Sequence, residues 1–457
     1  MLLADLHTPV SIYLLLRDKY PGMLLLESSD YRGHENSFSF ICCEPMAEFV
    51  IKDECIFTSV LKNEKAEKKI VSGSDVMYSL NEFMASFSFQ QNEFPFANNG
   101  FFGYTAYNAV RYFEDIELNG KRSHERKIPE MLYRLFRYVL VFDHFSEQLH
   151  LFCHSATGQH ENDLNTFASL LKRQTVNEYR FSTTSEVQSE LTDDDYISKV
   201  KTAKGHCQRG DVFQVVLSRE FNVQFSGDEF NVYRALRSVN PSPYLYYFDM
   251  GDFKLFGSSP EAQLKVKNGK AEIHPIAGTF RRTGHDAEDA ALAQKLLVDE
   301  KENAEHVMLV DLARNDLSRA CRGVQVEVFR EVQYYSHVIH LVSKVTGTLK
   351  ENVKTVQVVA DTFPAGTLSG APKYRAMQII DELETTSREY YGGCVGFYGT
   401  DGSFNHAIII RSFLSKNNSL YWRAGAGIVK ASDERSELNE VNNKLAALLK
   451  ALEYEWK

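Results

Sequence analysis

The residues best suited to metal chemistry lie in two acidic stretches. In Asp299 to Asp316, which reads DEKENAEHVMLVDLARND, Glu302 and Glu305 stand three apart. A helix places two such carboxylates on one face. Near the C-terminus, SELNEVNNK repeats the arrangement with Glu437, Glu440 and Lys444. Paired carboxylates on two separate helices suit a hard divalent cation that keeps waters and accepts ligand oxygens, which is magnesium chemistry. Taken singly, each pair also fits a solvated helix face, so the surrounding residues must decide.

Four Gly-rich segments accompany them. His274 to Thr279 reads HPIAGT, and its glycine permits close backbone approach to a ligand. Pro364 to Lys373 reads PAGTLSGAPK, a loop entering a helix with proline in the first turn, a geometry that offers backbone N–H groups to a carboxylate. Tyr391-Gly392-Gly393 opens a strand, and Gly425-Ala426-Gly427 precedes the second acidic helix. Each alone fits a tight turn. Together, beside two acidic helices, they describe a site for a small polyanion held with a metal.

The elements that must position these residues follow from periodicity. Helices are expected over 10–17, 75–87, 163–173, 193–209, 299–316, 353–363, 372–384 and 433–454. Strands are expected over 22–28, 37–41, 48–52, 55–61, 133–143, 148–153, 212–225, 253–258, 263–267, 271–276, 324–332, 337–349, 394–400, 406–414 and 420–424. Asn268-Gly269 marks a tight hairpin turn. Hairpin-paired strands with separate helices, and no βαβ rhythm or phosphate loop, give an α+β class with antiparallel sheets. The polar segment 174–195 is the expected boundary between a sheet-rich N-terminal region, 1–175, and a C-terminal region, 190–457, that carries the chemistry.

Composition narrows the function classes. With 457 residues, 44% hydrophobic and 25% charged, the chain has the make-up of an ordinary globular protein. A formal net charge of −10 argues against a nucleic-acid binder. Seven cysteines without a CxxC pair suit a reducing compartment. The N-terminal MLLADLHTPVSIYLLLRDKYPG has no basic leader region and only short apolar runs, so no membrane association and a cytoplasmic location are expected.

The acidic string 299–316, together with PIAGT, Ser259-Pro260-Glu261, PAGTLSGAPK, YGG and GAGIV, closely resembles the chorismate-utilising enzymes, and among them the large subunits of anthranilate synthase. The resemblance implies conversion of chorismate and ammonia into anthranilate and pyruvate with Mg²⁺, the first committed step of tryptophan synthesis. It also implies a four-layer αββα core in which two mainly antiparallel sheets pack together. By resemblance, Glu305 and Glu440 are magnesium ligands and their helix partners Glu302 and Glu437 bind through metal waters. Glu261 matches the acid that protonates the departing C4 hydroxyl, and His340 a histidine linked to pyruvate elimination. Gly278, Thr279, Thr367, Tyr391, Arg411, Gly425, Ala426, Gly427 and Lys444 match the substrate pocket.

Two positions separate anthranilate formation from its siblings in this resemblance. Aminodeoxychorismate synthases use lysine in PIKGT as a nucleophile, where this chain has Ala277. Isochorismate and salicylate synthases use a lysine to activate water, and Gln214 stands at that place in the catalytic set. Ammonia needs no such activation. Gly392-Gly393-Cys394-Val395-Gly396 fits a glutaminase pattern only formally, since no His-x-Glu pair follows, so a separate glutamine amidotransferase subunit is implied as partner. Leu25-Leu26-Glu27-Ser28 and Pro243-Tyr244-Leu245 resemble the two walls of a tryptophan effector pocket, with tryptophan as feedback inhibitor. Phe280 stands where relatives carry arginine after PIAGT, and Asn36 where they carry arginine before the next strand. The competing readings are an aminodeoxychorismate synthase lacking the lysine and a non-catalytic tryptophan-binding regulator. An intact Glu261, Glu305, His340, Glu440 and Lys444 argues against the latter.

Overall fold

The computed structural model describes residues 2–28, 37–61, 64–90, 94–118, 126–155, 161–172, 176–334 and 338–454. The Asn36 position, the side chain of Thr279 and residue 337 of an expected strand lie outside the described residues.

The fold is α+β. Among the described residues the strands form one continuous hydrogen-bonded network, and every pairing in it is antiparallel. The N-terminal region does not close on itself. Its strand Leu24–Glu27 pairs with Phe38–Lys52 on one side and with Tyr244–Asp249 on the other. Likewise Gly100–Thr105 pairs with Met131–Asp143 and with Cys394–Gly399. The polar segment around 174–195 is no bare linker: Phe181–Thr183 and Gln188–Ser189 both add to the long strand Gln214–Gly227. No helix among the described residues is long and apolar enough to cross a membrane. All seven cysteines are unpaired thiols.

Two helices do most to position the acidic residues. In Glu300–Ala320, Asp299 caps the first turn, its carboxylate accepting the Glu302 N–H at 2.9 Å. The buried residues His306, Leu309, Val310, Ala313, Asp316, Leu317 and Ala320 recur every three or four positions. Glu302 and Glu305 continue this stripe beyond the edge of the core. Glu434–Leu452 is built alike: Asp433 accepts the Ser436 N–H at 2.9 Å, and Glu437 leads a stripe through Leu438, Val441, Leu445 and Leu448. In both helices the apolar face fixes the rotation, and the carboxylates emerge where it ends.

Several expected elements differ in detail. The strands expected at 37–41 and 48–52 are one strand, Phe38–Lys52, because β-branched and aromatic residues carry it through Pro45 with only a register shift. The run 406–414 divides into Phe404–Ile408 and Ser412–Lys416, broken at Arg411, whose φ is 51°. Gly425-Ala426-Gly427 is no turn but the interior of the strand Ser419–Val429, where Leu217 faces Ala426 and Val216 faces Gly427. Two helices, Phe230–Val239 and Asp286–Val298, go beyond those the periodicity singled out. Asn268 and Gly269, both at positive φ, make the expected two-residue hairpin turn between Ala262–Lys267 and Lys270–Ile273.

Candidate active site

Glu261 follows the strand Phe253–Ser259, whose last residues are buried. Its carboxylate accepts the Thr367 hydroxyl at 2.9 Å. Burial pushes the Glu261 carboxyl up to about 7, although Thr367, Arg411 and Lys444 all favour the ionised form. At neutral pH it is therefore a carboxyl poised to give up a proton.

Arg411 completes the charged pocket. The short strand break at 411 aims a guanidinium inward, and burial depresses its pKa while Glu261 alone opposes that shift. No carboxylate among the described residues forms an ion pair with it. An arginine so desolvated is suited to a ligand carboxylate through paired donors.

His340 lies on the strand Val338–Leu349, directly opposite Thr279 in the register of the strand Ile276–Arg281. Its Nδ1 lies 3.0 Å from the Gly278 carbonyl. A carbonyl only accepts, so the proton sits on Nδ1 and Nε2 carries the lone pair. Burial lowers the ring pKa to about 4, against the Gly278 bond that raises it. His340 is thus a neutral imidazole with its tautomer set, the form a base needs.

Gly278 ties this histidine to the acidic helix. Its φ is +69°, and a Cβ added there would meet Leu296 Cδ1 at 2.9 Å and Glu302 Oε2 at 3.3 Å. Only glycine lets the strand pass so close beneath Glu302. Glu305 is held partly out of water, and burial raises its carboxyl to about 7, with Glu302, Glu440 and Glu437 adding like-charge repulsion against Lys301. Burial likewise raises Glu437, and Glu440 adds to it. The two helices therefore turn four carboxylates into one another's field. Among the described residues no three His, Cys, Asp or Glu side chains converge into a closed metal cage. The donor set, all hard oxygen and mutually repelling, fits a divalent cation that keeps waters and takes ligand oxygens.

Lys444, one helical turn beyond Glu440, bonds its Oε1 at 2.7 Å and donates to the Gly425 carbonyl at 2.8 Å. Gly427 packs flat on Gln214: a Cβ there would sit 2.4 Å from Gln214 Nε2. Gln214 is buried and its Oε1 has no hydrogen-bond partner. Gly370, at φ +134°, lies equally tight against the Gln214 carbonyl. Tyr391 is buried beneath the Arg388 guanidinium, 5.7 Å from its ring centroid, and burial holds its hydroxyl at about 12.

The structure links Glu261 with Thr367, Arg411 and Lys444, His340 with Gly278 and Arg411, and Glu305 with Glu302, Glu437 and Glu440, while three of the expected residues need correction. Ala426 faces the hydrophobic core beside Leu217, Ala424 and Ile428, because strand alternation turns it away from Gly425 and Gly427, so it can offer only backbone. Glu27 in the effector motif is buried; its carboxylate accepts the Tyr233 hydroxyl at 2.6 Å and pairs with Arg237 at 3.1 Å. It is already neutralised and does not stand open to an ammonium group. Leu245 is also core. The two effector walls are nonetheless neighbours, since Leu245 pairs with Glu27, while Ser28, Pro243 and Tyr244 are only partly buried.

Three positioning contacts lie outside the expected set. His306 Nε2 and Ser343 Oγ are 2.6 Å apart, joining the Glu305 helix to the His340 strand. Asp316, from the Arg314-Asn315-Asp316 cluster, pairs with Lys373 at 2.7 Å and so ties that helix to the PAGTLSGAPK loop. Arg388 donates to the carbonyls of Leu368 and Val216 beneath Tyr391. Isolated polar residues in apolar runs, as His306 and Ser343 are, offer the only sequence signal for such contacts. Cys394 is fully buried with its thiol at about 12 through burial, which rules it out as a nucleophile. Phe280 packs against a small cluster with Leu296 and Ile339 rather than entering the polar pocket.

Comparison with known proteins identifies the family and the fold. Residues 29–450 match the chorismate binding enzyme family. Anthranilate synthase component 1 of Thermus thermophilus is 38% identical over 459 residues, covering 99% of this chain and 96% of the relative. That of Aquifex aeolicus is 36% identical over 467 residues, covering 99% and 93%. The crystal structure of anthranilate synthase component I from Streptococcus pneumoniae superposes with a TM-score of 0.79 at 31% identity, covering 98% of this chain and 99% of that one. The menaquinone-specific isochorismate synthase of Escherichia coli shares the fold at 19% identity, with a TM-score of 0.72 over 96% of this chain and 90% of that one. With the family match over residues 29–450 and relatives above 30% identity along nearly the whole chain, the chain belongs to the chorismate binding enzyme family.

Proposed function

We propose that this chain is the chorismate-converting subunit of an anthranilate synthase, taking ammonia from a glutamine amidotransferase partner and releasing anthranilate and pyruvate. The observation that carries this reading is the absence of a lysine at the two positions where the sibling activities need one. Ala277 offers no nucleophile, and Gln214, wedged against Gly427, offers no base. A pocket that activates neither water nor the ring leaves the work to a nucleophile that is already reactive, and ammonia is one.

The residues then divide the chemistry. Arg411 and Lys444 hold the carboxylates of chorismate. Glu261 gives its proton to the C4 hydroxyl as ammonia adds to the ring, and Thr367 orients that carboxyl through its 2.9 Å bond. His340, neutral and with Nδ1–H on Gly278, takes up the ring proton at Nε2 in the pyruvate-releasing step. Glu305 and Glu440 would hold Mg²⁺, with Glu302 and Glu437 acting through its waters; bound there, the cation supplies charge stabilisation to the ring carboxylate. Tryptophan would bind between Ser28 and the Pro243-Tyr244 segment and inhibit. Glu27 supports that pocket through Tyr233 and Arg237 rather than by contact.

The test is direct. Purified protein with chorismate, ammonium and Mg²⁺ should yield anthranilate and pyruvate on chromatographic separation. It should need an added amidotransferase subunit to use glutamine. Aminodeoxychorismate or isochorismate as the end product would overturn the reading, and glutamine-driven turnover by the isolated chain would remove the partner.

A further inference from the structure

Glu261 and Thr367 together line a cavity of about 30 Å³. Its polar wall is made by Glu261, Gln263, Thr362, Thr367 and Asp316, while Leu312 and its neighbours supply the apolar part. A water needs roughly 10–15 Å³ of such space, so the cavity has room for one or two. Gln263 is the telling residue. It is 3% exposed, and its Nε2 donates to Thr362 Oγ1 at 3.1 Å. The Thr362 hydroxyl in turn donates to the Val358 carbonyl at 2.9 Å, which leaves that oxygen to accept from the Gln263 amide nitrogen. The amide oxygen, Gln263 Oε1, is then buried with no partner. A buried acceptor left alone is unfavourable, and a roomy, polar cavity beside it is where ordered water satisfies such groups.

We propose that this cavity is a water site serving the reaction: water held by Gln263 adjoins Glu261, accepts the water formed from the departing hydroxyl, and returns the proton to the Glu261 carboxylate. The proposal rests on the anthranilate-forming reading above. In that reaction the C4–O bond breaks with its electron pair on oxygen, and the Glu261 proton turns the leaving group into water. The new C–N bond forms from the ammonia lone pair, and the nitrogen then releases one proton. Glu261 must regain one proton per turnover, so the balance closes without any outside oxidant or acid. The formed water also needs somewhere to go that is not the ammonia path.

Water fits the cavity better than ammonia does. Ammonia is a far stronger base than the Glu261 carboxylate, and beside that carboxyl it would take the proton. Acid and nucleophile would both be lost in one transfer. Asp316 on the cavity wall is charge-balanced by Lys373, which also donates to the Thr362 carbonyl at 3.0 Å.

Gln263 is therefore a positioning residue, and Gln263→Leu is the variant that tests it. Leucine keeps the volume and removes the unpartnered oxygen, so folding should be retained. For the wild type, a high-resolution crystal structure should show water bonded to both Gln263 Oε1 and Glu261; a dry cavity overturns the proposal whatever the reaction proves to be. For Gln263→Leu, kcat should fall by at least about threefold with the KM for chorismate held, and the solvent deuterium isotope effect on kcat should rise as proton return becomes limiting. An unchanged kcat and isotope effect in a variant that makes anthranilate would overturn the proposal and leave the reading intact. Wild-type protein that makes no anthranilate would overturn the reading instead.

Discussion

At the scale of single residues, burial sets the protonation of two side chains of the candidate site, Glu261 and His340. Glu261 is ordinarily a carboxyl of pKa 4.5 and is held near 7 here. Because the folded state keeps its proton longer, this group's contribution to stability is full below about pH 4.5 and is lost as pH rises toward 7. The acid form needed for proton donation follows the same course. At constant free ammonia, kcat should fall about tenfold per pH unit above 7. Glu261→Gln, which cannot donate a proton to the leaving group, should lose about 10²–10⁴-fold in kcat and flatten that limb; rates measured from pH 6 to 9 decide it. His340 gives a complementary expectation. His340→Met removes the lone pair at Nε2 but not the pocket, so the aminated, non-aromatic intermediate should accumulate and be visible by chromatography. Equal loss of both steps without an intermediate would reduce His340 to a packing residue.

At the scale of elements, the candidate site depends on how the strand Ile276–Arg281 lies against the helix Glu300–Ala320. Gly278 is the narrowest point. Alanine there would combine a φ of +69° with a Cβ 2.9 Å from Leu296 Cδ1. Gly278→Ala should cost about 1–3 kcal/mol of stability, and it should also displace Glu302 and the His340 carbonyl partner. Thermal unfolding with kinetics of the same variant checks both. The acidic helices carry a second expectation. Glu305 and Glu440 come from different helices, yet the charge of Glu440 is felt at the Glu305 carboxyl. Glu305→Ala or Glu440→Ala should cut turnover at least about 100-fold at limiting magnesium while leaving the circular dichroism spectrum unchanged. Near-normal turnover there would free that glutamate of its assigned role.

At the scale of the whole molecule, the two regions are zipped together rather than appended. Tyr244–Asp249 pairs with Leu24–Glu27 on one edge and with Phe253–Ser259 on the other, and the last of these runs into Glu261. The Ser258 hydroxyl donates to the Asn240 carbonyl, tying the segment before Tyr244 to the strand that leads to Glu261. A ligand seated between Ser28 and Tyr244 would thus act two strands away from the chemistry, and coupling of that kind is reciprocal. Tryptophan should weaken chorismate binding, and chorismate should weaken tryptophan binding by the same factor, as read by calorimetry in both orders. Ser28→Phe should fill the pocket and give an active, tryptophan-insensitive protein. Unchanged activity in millimolar tryptophan with no binding heat would leave the motif a structural one.

Much of this was legible in the linear chain, and for a physical reason. Periodicity in 299–316 and 433–454 reports which helix face is buried, so the rotation that places Glu302, Glu305, Glu437 and Glu440 follows from local spacing alone. The motif strings likewise carried Glu261, Arg411, Lys444 and the family itself. Other features depend on what each residue meets across the fold, and no local pattern encodes that. Alternation in the strand 419–429 turned Ala426 into the core, because its partner strand presents Leu217 on that side. Glu27 was met by Tyr233 and Arg237 from a helix more than two hundred residues away, which closed an acid that looks open in LLES. The same holds for the tautomer of His340, the clamp between His306 and Ser343, and the unpartnered oxygen of Gln263. The sequence determined which residue types were present and which faces they shared. Hydrogen bonding and burial between distant segments decided which of them were charged, which were neutral, and which faced the ligand.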